Sequence, residues 1–127
     1  ERVLAMLRER GIAPGQARVL VLGLAFKEDC PDLRNSRVLD VIDHLRDAGV
    51  AVDVHDPWID PAMAKAETGL DLVPLPDGAD YDGLVLAVAH HQFRGMPAPR
   101  IRALLKPEGV VYDVKSVWPR DVVDDRL

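Results

Sequence analysis

The sequence predicts an α/β fold: a doubly wound, mostly parallel sheet in three layers, within a single domain. Three apolar runs, at 19–22, 83–89 and 110–113, are nearly continuous rather than alternating. Strands covered by helices on both faces have this pattern, which is typical of parallel sheets. Helical patterns separate the runs, and a chain of 127 residues is long enough to bury one core. The expected architecture is therefore Rossmann-like.

The first half of the chain is expected to contain a right-handed strand–helix–strand unit. Apolar residues at 38, 41, 42 and 45 recur with the helical period, and Gly49 is a suitable helix stop. The valines at 50, 52 and 54 recur with the period of a strand. The predicted elements are a helix at 1–10, a linker at 12–16, a strand at 18–26, a helix between Ser36 and Gly49, and a strand at 50–54.

The second half continues the alternation with weaker signals. Pro74 interrupts the stretch at 70–75, which is expected to be a short strand. The predicted elements are a helix at 59–68, a strand at 70–75, a turn-rich loop at 77–82, a strand at 83–89, a loop with one helical turn at 90–99, a helix at 99–105, a strand at 110–113, and an irregular end at 114–127.

Residues 1–15 are expected to be a helix and linker from a preceding region, and 16–127 to form the domain itself. The sequence begins with Glu1 rather than Met, which suggests a piece of a longer chain. No repeat or low-complexity tract is present.

The charge balance is acidic, with a net charge of -5 from 16 basic and 21 acidic residues. Without a dense basic run, we expect no nucleic-acid partner and no anionic membrane partner. No apolar run approaches membrane-spanning length. Cys30 is the only cysteine and cannot form an internal disulfide, which fits a reducing compartment such as the cytoplasm.

Polar and charged residues follow each predicted strand where it ends. In doubly wound sheets, ligands bind beyond the carboxyl ends of the strands. Lys27 and Arg34 follow the first strand in a loop that leads into a helix, an arrangement suited to holding an anion. The other residues expected at this edge are His55, Asp56, His90, His91 and Lys115.

Each cation also has a simpler interpretation. Lys27 alone could be a solvated loop lysine, and Lys115 a lysine at the sheet edge without a ligand. Arg34 could pair locally with Asp29 or Asp32. Only their convergence on one edge favours a site for a negatively charged ligand.

A metal site is not predicted. His90-His91 with His55 and Asp56 could supply ligands, but no His-x3-His pair and no thiolate cluster accompanies them. Cys30 has no activating base nearby in the sequence and is expected to be a passive loop thiol.

The first strand does not lead into a dinucleotide turn. A G-x-G-x-x-G turn needs glycines so that the backbone can approach a pyrophosphate. Here Gly23 is followed by Leu-Ala-Phe-Lys-Glu, whose side chains fill those positions. Lys27 instead offers a point charge for a phosphate.

The stretch Gly23-Leu-Ala-Phe-Lys-Glu-Asp-Cys-Pro-Asp-Leu-Arg-Asn-Ser36 resembles the UDP-glucose/GDP-mannose dehydrogenase family, in its C-terminal nucleotide-sugar-binding domain. This stretch has the required residue at every fixed position of the family pattern G-x-A-[FY]-K-x-x-x-x-D-x-R-x-S. The resemblance extends over 16–118. Two further matching segments are Gly49-Val-x-Val-x-Val-His-Asp-Pro57 and Leu105-Lys-Pro-x-Gly-Val-Val-Tyr-Asp113. The segments Asp-Cys-Pro-Asp-Leu-Arg and Asp113-Val-Lys-Ser116 are most similar to those of one branch of the family, whose members oxidise UDP-N-acetylhexosamines for bacterial surface polysaccharides.

The resemblance implies an enzyme that oxidises the C6 hydroxyl of a nucleotide sugar to a carboxylate with two NAD+ in succession. In the family, NAD and the catalytic residues belong to N-terminal parts of the same chain. This sequence is therefore expected to carry no catalytic residue, with Cys30 not the nucleophile, and to be inactive alone. The complete protein is expected to be a homodimer in the bacterial cytoplasm.

The resemblance also implies roles for four residues. Phe26 and Lys27 match residues that contact the nucleotide-sugar substrate, with the lysine near its phosphates. Arg34 matches an arginine that reaches NAD across the interdomain cleft. Lys115 takes the place of a substrate-contacting arginine, keeping the charge but losing the bidentate fork.

Two other classes of protein remain open. One is a non-catalytic, flavodoxin-like regulatory or binding module such as a receiver domain, for which Asp56 and Asp113 end strands suitably. The paired acidic residues of a receiver are, however, replaced by Phe26-Lys27. The other is a structural or dimerisation domain without a ligand.

Overall fold

A computed structural model describes residues 2–78 and 80–126. Five strands form one sheet, and every neighbouring pair is parallel. The strands are β1 (Arg18–Leu22), β2 (Ala51–His55), β3 (Tyr81–Leu86), β4 (Leu105–Asp113) and β5 (Asp125–Arg126). Their order across the sheet is β2-β1-β3-β4-β5, which confirms the predicted α/β, doubly wound topology.

Short helices connect the strands. They are α1 (Arg2–Glu9), α2 (Val38–Asp47), α3 (Pro61–Thr68), α4 (His91–Arg94) and α5 (Ala98–Ala103), with a 3-10 turn at Pro14–Gln16. Local chemistry sets the limits of α3: the Asp60 carboxylate accepts the Ala62 N–H, and Gly69 ends the helix at a φ of 77°. None of the helices within 2–78 and 80–126 combines the length and the apolar character needed to cross a bilayer.

Alternate residues of the strands face two separate apolar clusters. Val19 and Val21 belong to the cluster that contains the buried residues of α1 and α2. Leu20 and Leu22 belong to the cluster that contains Ile101 of α5. Because a strand turns successive side chains to opposite faces, the sheet is the middle layer of three, as predicted.

Helix α1 packs against the sheet. Leu4 and Leu7 lie in the same cluster as Val110 of β4, and Arg10 beyond the helix end pairs with Asp124 at 2.7 Å. The described residues before position 16 therefore contribute to the core. Their assignment to a preceding region stays a prediction.

Several predicted boundaries were wrong. The expected strand at 70–75 is only a single bridge between Leu72 and Val54, and the irregular end contains β5. The strands expected at 18–26 and 83–89 both end earlier, because the chain leaves the sheet to build loops. The one helical turn expected at 90–99 is confirmed as α4. Glu1, Ala79 and Leu127, which fell within predicted segments, lie outside the described residues.

Candidate functional site

The site begins where the sheet changes its direction of winding. β1 is flanked by β2 on one side and by β3 on the other, and ligands bind at such switch points. Gly23 follows β1 with a φ of +101°, and a Cβ built on it would lie 2.6 Å from the Cβ of Val88. Only glycine fits there, and it lets the loop after β1 lie directly against the loop after β3.

The carboxylate of Asp56, just after β2, fixes the first turn of the loop after β1. Its Oδ2 accepts the N–H groups of Leu24 at 2.6 Å and Ala25 at 2.8 Å, and its Oδ1 accepts the Trp58 N–H at 2.8 Å. Asp56 is only 4% exposed. These bonds hold the backbone immediately before Phe26 in one conformation.

His90, just after β3 and fully buried, completes this arrangement. Its Nδ1 accepts the Asp29 N–H at 2.8 Å, so its Nε2 carries the proton and donates to Asp56 at 3.0 Å. The next residue, His91, donates its backbone N–H to the Asp29 carboxylate at 2.9 Å. The loop after β1 is thus tied to the ends of both neighbouring strands.

Both carboxylates of this network are held ionised. Burial acts to raise the pKa of Asp56, but the His90 bond and the backbone N–H bonds outweigh it and keep that pKa below its usual value. The hydrogen bond from the His91 backbone N–H is the main cause that lowers the pKa of Asp29, against a smaller opposing effect of burial. The network carries negative charge at neutral pH that hydrogen-bond donors compensate.

A second carboxylate shapes the loop after β4. Asp113 is fully buried, and its oxygens accept the N–H groups of Lys115, Ser116, Val117 and Trp118, all at 2.8 Å. The backbone turns tightly around this one side chain. The turn presents the Lys115 side chain to solvent at the carboxyl end of the sheet.

A cavity of about 290 Å³ lies between these loops and the start of α2. It is bordered by 25–26 after β1, by Asn35 and the beginning of α2, by 87–88 after β3, and by 114–115 after β4. Among the described residues, its lining contains two cationic side chains, Arg37 and Lys115, and no carboxylate. The cavity suits an anionic ligand with an apolar part.

The predicted substrate-binding residues divide into two groups. Phe26 and Lys115 both line the cavity. Among the described residues, Phe26 is the one large apolar side chain that is exposed, at 51%. Lys27, the residue after Phe26, is exposed and is not among the described residues that line the cavity. Its side chain makes no hydrogen bond or ion pair with any residue that the structure describes.

Arg34, the predicted cofactor contact, lies on a different surface beside Glu67 and Thr68. Its side chain is 83% exposed and pairs with Asp32 at 3.0 Å, one of the two local partners that the sequence allowed. The hydrogen bond from Arg34 is also the main cause that lowers the pKa of Asp32. The structure therefore separates Arg34 from the cavity that holds Phe26 and Lys115.

Two cavity residues were missed from the sequence. Asn35 has a φ of 62°, and Arg37 stands at the N-cap of α2 without a capping side-chain bond. The helical pattern placed Arg37 on the polar face of α2, where charge is ordinary. The available signal was its position at the helix start, where an arginine is a poor choice.

No group of three or more metal-ligating side chains lies together within the described residues. His90 and Asp56, which could have been ligands, bind each other. His55 is engaged through Nδ1 with the Val73 carbonyl at 2.8 Å. Cys30 is a free, partly buried thiol in the loop after β1.

A parallel α/β sheet has, at its switch point, a cavity whose lining includes Arg37 and Lys115, an arrangement suited to an anionic organic ligand. The chain belongs to the UDP-glucose/GDP-mannose dehydrogenase family: residues 20–120 match the model of its UDP binding domain. The resemblance noted from the loop after β1 is thereby confirmed.

Bacterial relatives match nearly the whole chain. It is 47% identical over 125 residues to UDP-N-acetyl-D-glucosamine 6-dehydrogenase of Pseudomonas aeruginosa, covering 98% of this chain and 29% of that protein. It is 38% identical to UDP-N-acetyl-D-glucosamine 6-dehydrogenase of Salmonella typhi, covering 100% of this chain and 30% of that protein. The chain thus spans less than a third of the length of these curated relatives.

Solved structures show the same fold. A UDP-glucose dehydrogenase from Pyrobaculum islandicum matches with a TM-score of 0.71 and 28% identity, over 98% of this chain and 27% of that one. NDP-N-acetyl-D-galactosaminuronic acid dehydrogenase from Methanosarcina mazei Go1 matches with a TM-score of 0.77 and 25% identity, over 93% of this chain and 24% of that one. The Rossmann-like fold is thereby confirmed.

Proposed function

We propose that this chain is the substrate-binding C-terminal domain of an NAD-dependent UDP-sugar 6-dehydrogenase. The enzyme oxidises the C6 hydroxyl of the sugar to a carboxylate, for surface polysaccharide biosynthesis. The observation that carries the proposal is the match to the family's UDP binding domain over residues 20–120, a range that includes all the described residues lining the cavity. The two relatives named as UDP-N-acetyl-D-glucosamine 6-dehydrogenases favour a UDP-N-acetylhexosamine as the substrate class.

The chemistry of the cavity supports a nucleoside diphosphate. Its volume of about 290 Å³ is near the lower end for ligand pockets, which suits part of a nucleotide sugar rather than all of it. Lys115 supplies positive charge for the diphosphate, and Phe26 supplies an exposed aromatic face. Lys27 has no competing ion pair in the described chain, so its side chain can turn towards the phosphates.

This domain would act on the reaction from a distance. It holds the diphosphate, which is remote from C6, and the binding energy spent there orients the reacting carbon. No residue of this chain is assigned to catalysis, and Cys30 is not proposed as the nucleophile. The chain alone is therefore proposed to be inactive.

The loop after β1 lacks the glycines of a dinucleotide-binding turn. Gly23 is packed against Val88, and the side chains of Leu24, Ala25 and Phe26 follow it. We assign NAD to an N-terminal domain of the complete protein, where the cofactor would accept hydride. Arg34 would contact the cofactor across the interface, and its high exposure on a surface separate from the cavity fits that role.

The remaining features of the whole protein rest on the family resemblance. They are a homodimeric assembly and a bacterial cytoplasmic location. A nucleic-acid or membrane partner is not proposed, because the net charge of -5 does not favour either.

A regulatory receiver module has no support in the structure. A phosphoacceptor must be accessible, yet Asp56 and Asp113 are both buried. Each accepts four hydrogen bonds from protein donors, which leaves no oxygen available to attack a phosphoryl group.

The proposal is tested by calorimetric titration of the chain with UDP, the corresponding UDP-sugar and ADP. We expect UDP and the UDP-sugar to bind, ADP to bind more weakly, and no NADH to form with UDP-sugar and NAD+. Lys27→Ala and Lys115→Ala should each weaken UDP binding, because each removes a cation near the phosphates. Lys65→Ala is the matched control, since Lys65 pairs with Asp71 on the surface at α3. If neither Lys27→Ala nor Lys115→Ala changes the affinity for UDP, the residue assignments are wrong. Equal affinities for UDP and ADP would contradict a uridine nucleotide as the ligand.

A further inference from the structure

The beginning of α2 carries a side chain that helix stability does not explain. Arg37 stands directly before α2 with an exposed side chain that caps nothing, and the Ser36 hydroxyl accepts the Val38 N–H at 3.3 Å in its place. A cation there also faces the positive end of the helix dipole, which is unfavourable. Local rules that a sequence breaks without compensation are most often broken at functional sites.

The Arg37 guanidinium also has no partner among the residues that the structure describes. Most arginines of the described chain make a side-chain hydrogen bond or ion pair, as Arg18 does with Asp53 and Arg102 with Asp124. Arg37 makes neither within residues 2–78 and 80–126, and it is one of the residues that line the cavity. A guanidinium with five donors placed at a cavity is suited to an anion that enters it.

The second cation of the cavity lining makes the arrangement specific. Lys115 comes from the loop after β4, whereas Arg37 comes from the start of α2. A lysine is a point charge, and an arginine offers a planar fork that binds two phosphate oxygens at once. A diphosphate has more negative charge than one lysine neutralises, so the two cations complement each other.

We propose that Arg37 is a ligand-binding residue, which contacts the diphosphate of the bound nucleotide through its guanidinium. It supplies the bidentate contact that Lys115 cannot make. The identity of the nucleotide rests on the proposed function, but the anion contact itself rests on the cavity.

The test follows amide chemical shifts by NMR while the chain is titrated with UDP, uridine or inorganic pyrophosphate. UDP and pyrophosphate should shift residues around the cavity. Arg37→Ala should weaken both by about tenfold, the worth of one charged hydrogen bond, and leave uridine binding unchanged. Arg37→Lys should recover only part of the affinity, because charge returns without the fork.

Arg8→Ala is the matched control. Arg8 is exposed on α1 and also lacks a partner within the described chain, so the net charge changes equally at a site away from the cavity. Thermal unfolding shows whether Arg37→Ala folds normally, and removing a cation from a helix start should not lower the melting temperature.

The outcomes separate this inference from the proposed function. The inference is overturned, and the proposed function stands, if Arg37→Ala binds UDP and pyrophosphate as tightly as the parent. The same holds if Arg8→Ala weakens their binding as much as Arg37→Ala does. Pyrophosphate binding that depends on Arg37 without UDP binding supports the contact and rejects the proposed function. No shift with UDP or pyrophosphate at millimolar concentration overturns both.

Discussion

The hydrogen bonds of Asp56 can be tested by the substitution Asp56→Asn. In the structure Oδ2 accepts three donors and Oδ1 accepts the Trp58 N–H. Asparagine keeps the size and one oxygen, but its NH2 group is a donor. The better orientation keeps the oxygen at the three-donor position. The NH2 group then faces the Trp58 N–H, which loses its acceptor.

The expected cost follows from these contacts. One buried N–H without an acceptor costs about 1–3 kcal/mol. The three remaining bonds change from charged to neutral, which weakens each by about 1 kcal/mol or less. We therefore expect Asp56→Asn to lower the free energy of unfolding by about 1–6 kcal/mol, where a domain typically has roughly 5–15 kcal/mol.

The pH dependence should change as well. Because the folded state holds the pKa of Asp56 below the usual value of 3.8, this group adds stability that is present above that value. The stability is lost as the pH falls through the lower folded pKa. Asparagine does not titrate, so the variant should lose less stability between neutral and acidic pH than the parent.

Urea unfolding, followed by the fluorescence of Trp58 and Trp118, measures both effects over a pH series. Asp60→Asn is the control, because Asp60 caps α3 with a single 3.3 Å bond to the Ala62 N–H and asparagine caps helices equally well. If Asp56→Asn destabilises the domain no more than Asp60→Asn, the Asp56 bonds do not hold the loop in the way described.

Two further predictions concern the sheet. Gly23→Ala should lower the free energy of unfolding by about 2–5 kcal/mol, because it adds positive-φ strain and a clash with Val88. Gly69→Ala is the control: Gly69 has a φ of 77° but open space around it, so only the strain of about 1–2 kcal/mol is expected. Equal losses of stability in urea unfolding would contradict the close approach of the loops after β1 and β3. Burial, together with the Asp53 hydrogen bond, raises the pKa of Tyr81 to about 12, so stability should fall as the pH rises from 10 towards 12. Ultraviolet titration should show this ionisation, and Asp53→Asn should lower its pKa; an unchanged value would argue against the Tyr81–Asp53 contact.

The topology was predictable because it depends on burial. The run at 19–22 is apolar at every position, and a strand with both faces covered needs this composition. The loop after β1 was recognisable for a related reason: its sequence departs from helix and strand patterns and matches a family motif. Phe26 and Lys115 were predicted to contact one ligand because the family resemblance implies it, and the structure places both in the lining of one cavity.

What the sequence could not show depends on tertiary contacts. Arg37 matches the polar face of a helix, and only the folded chain reveals that the start of this helix borders a cavity. Asp56 and His90 were plausible metal ligands until their mutual hydrogen bond and backbone partners were known. The stretch at 70–75 has strand-like composition, but Pro74 cannot donate to a ladder, so pairing is limited to one bridge at Leu72.

The two buried carboxylates at the ends of β2 and β4 have a consequence for protein engineering. Asp56 and Asp113 fix the loop backbones from within. The side chains of Phe26 and Lys115 are exposed and take no part in those anchors, to which Lys115 contributes only its backbone N–H. The side chains that fix these loops are therefore different from those proposed to contact the ligand. Positions 26 and 115 can be randomised together to alter ligand preference, and the resulting library should retain the parent's thermal stability as long as both aspartates are kept.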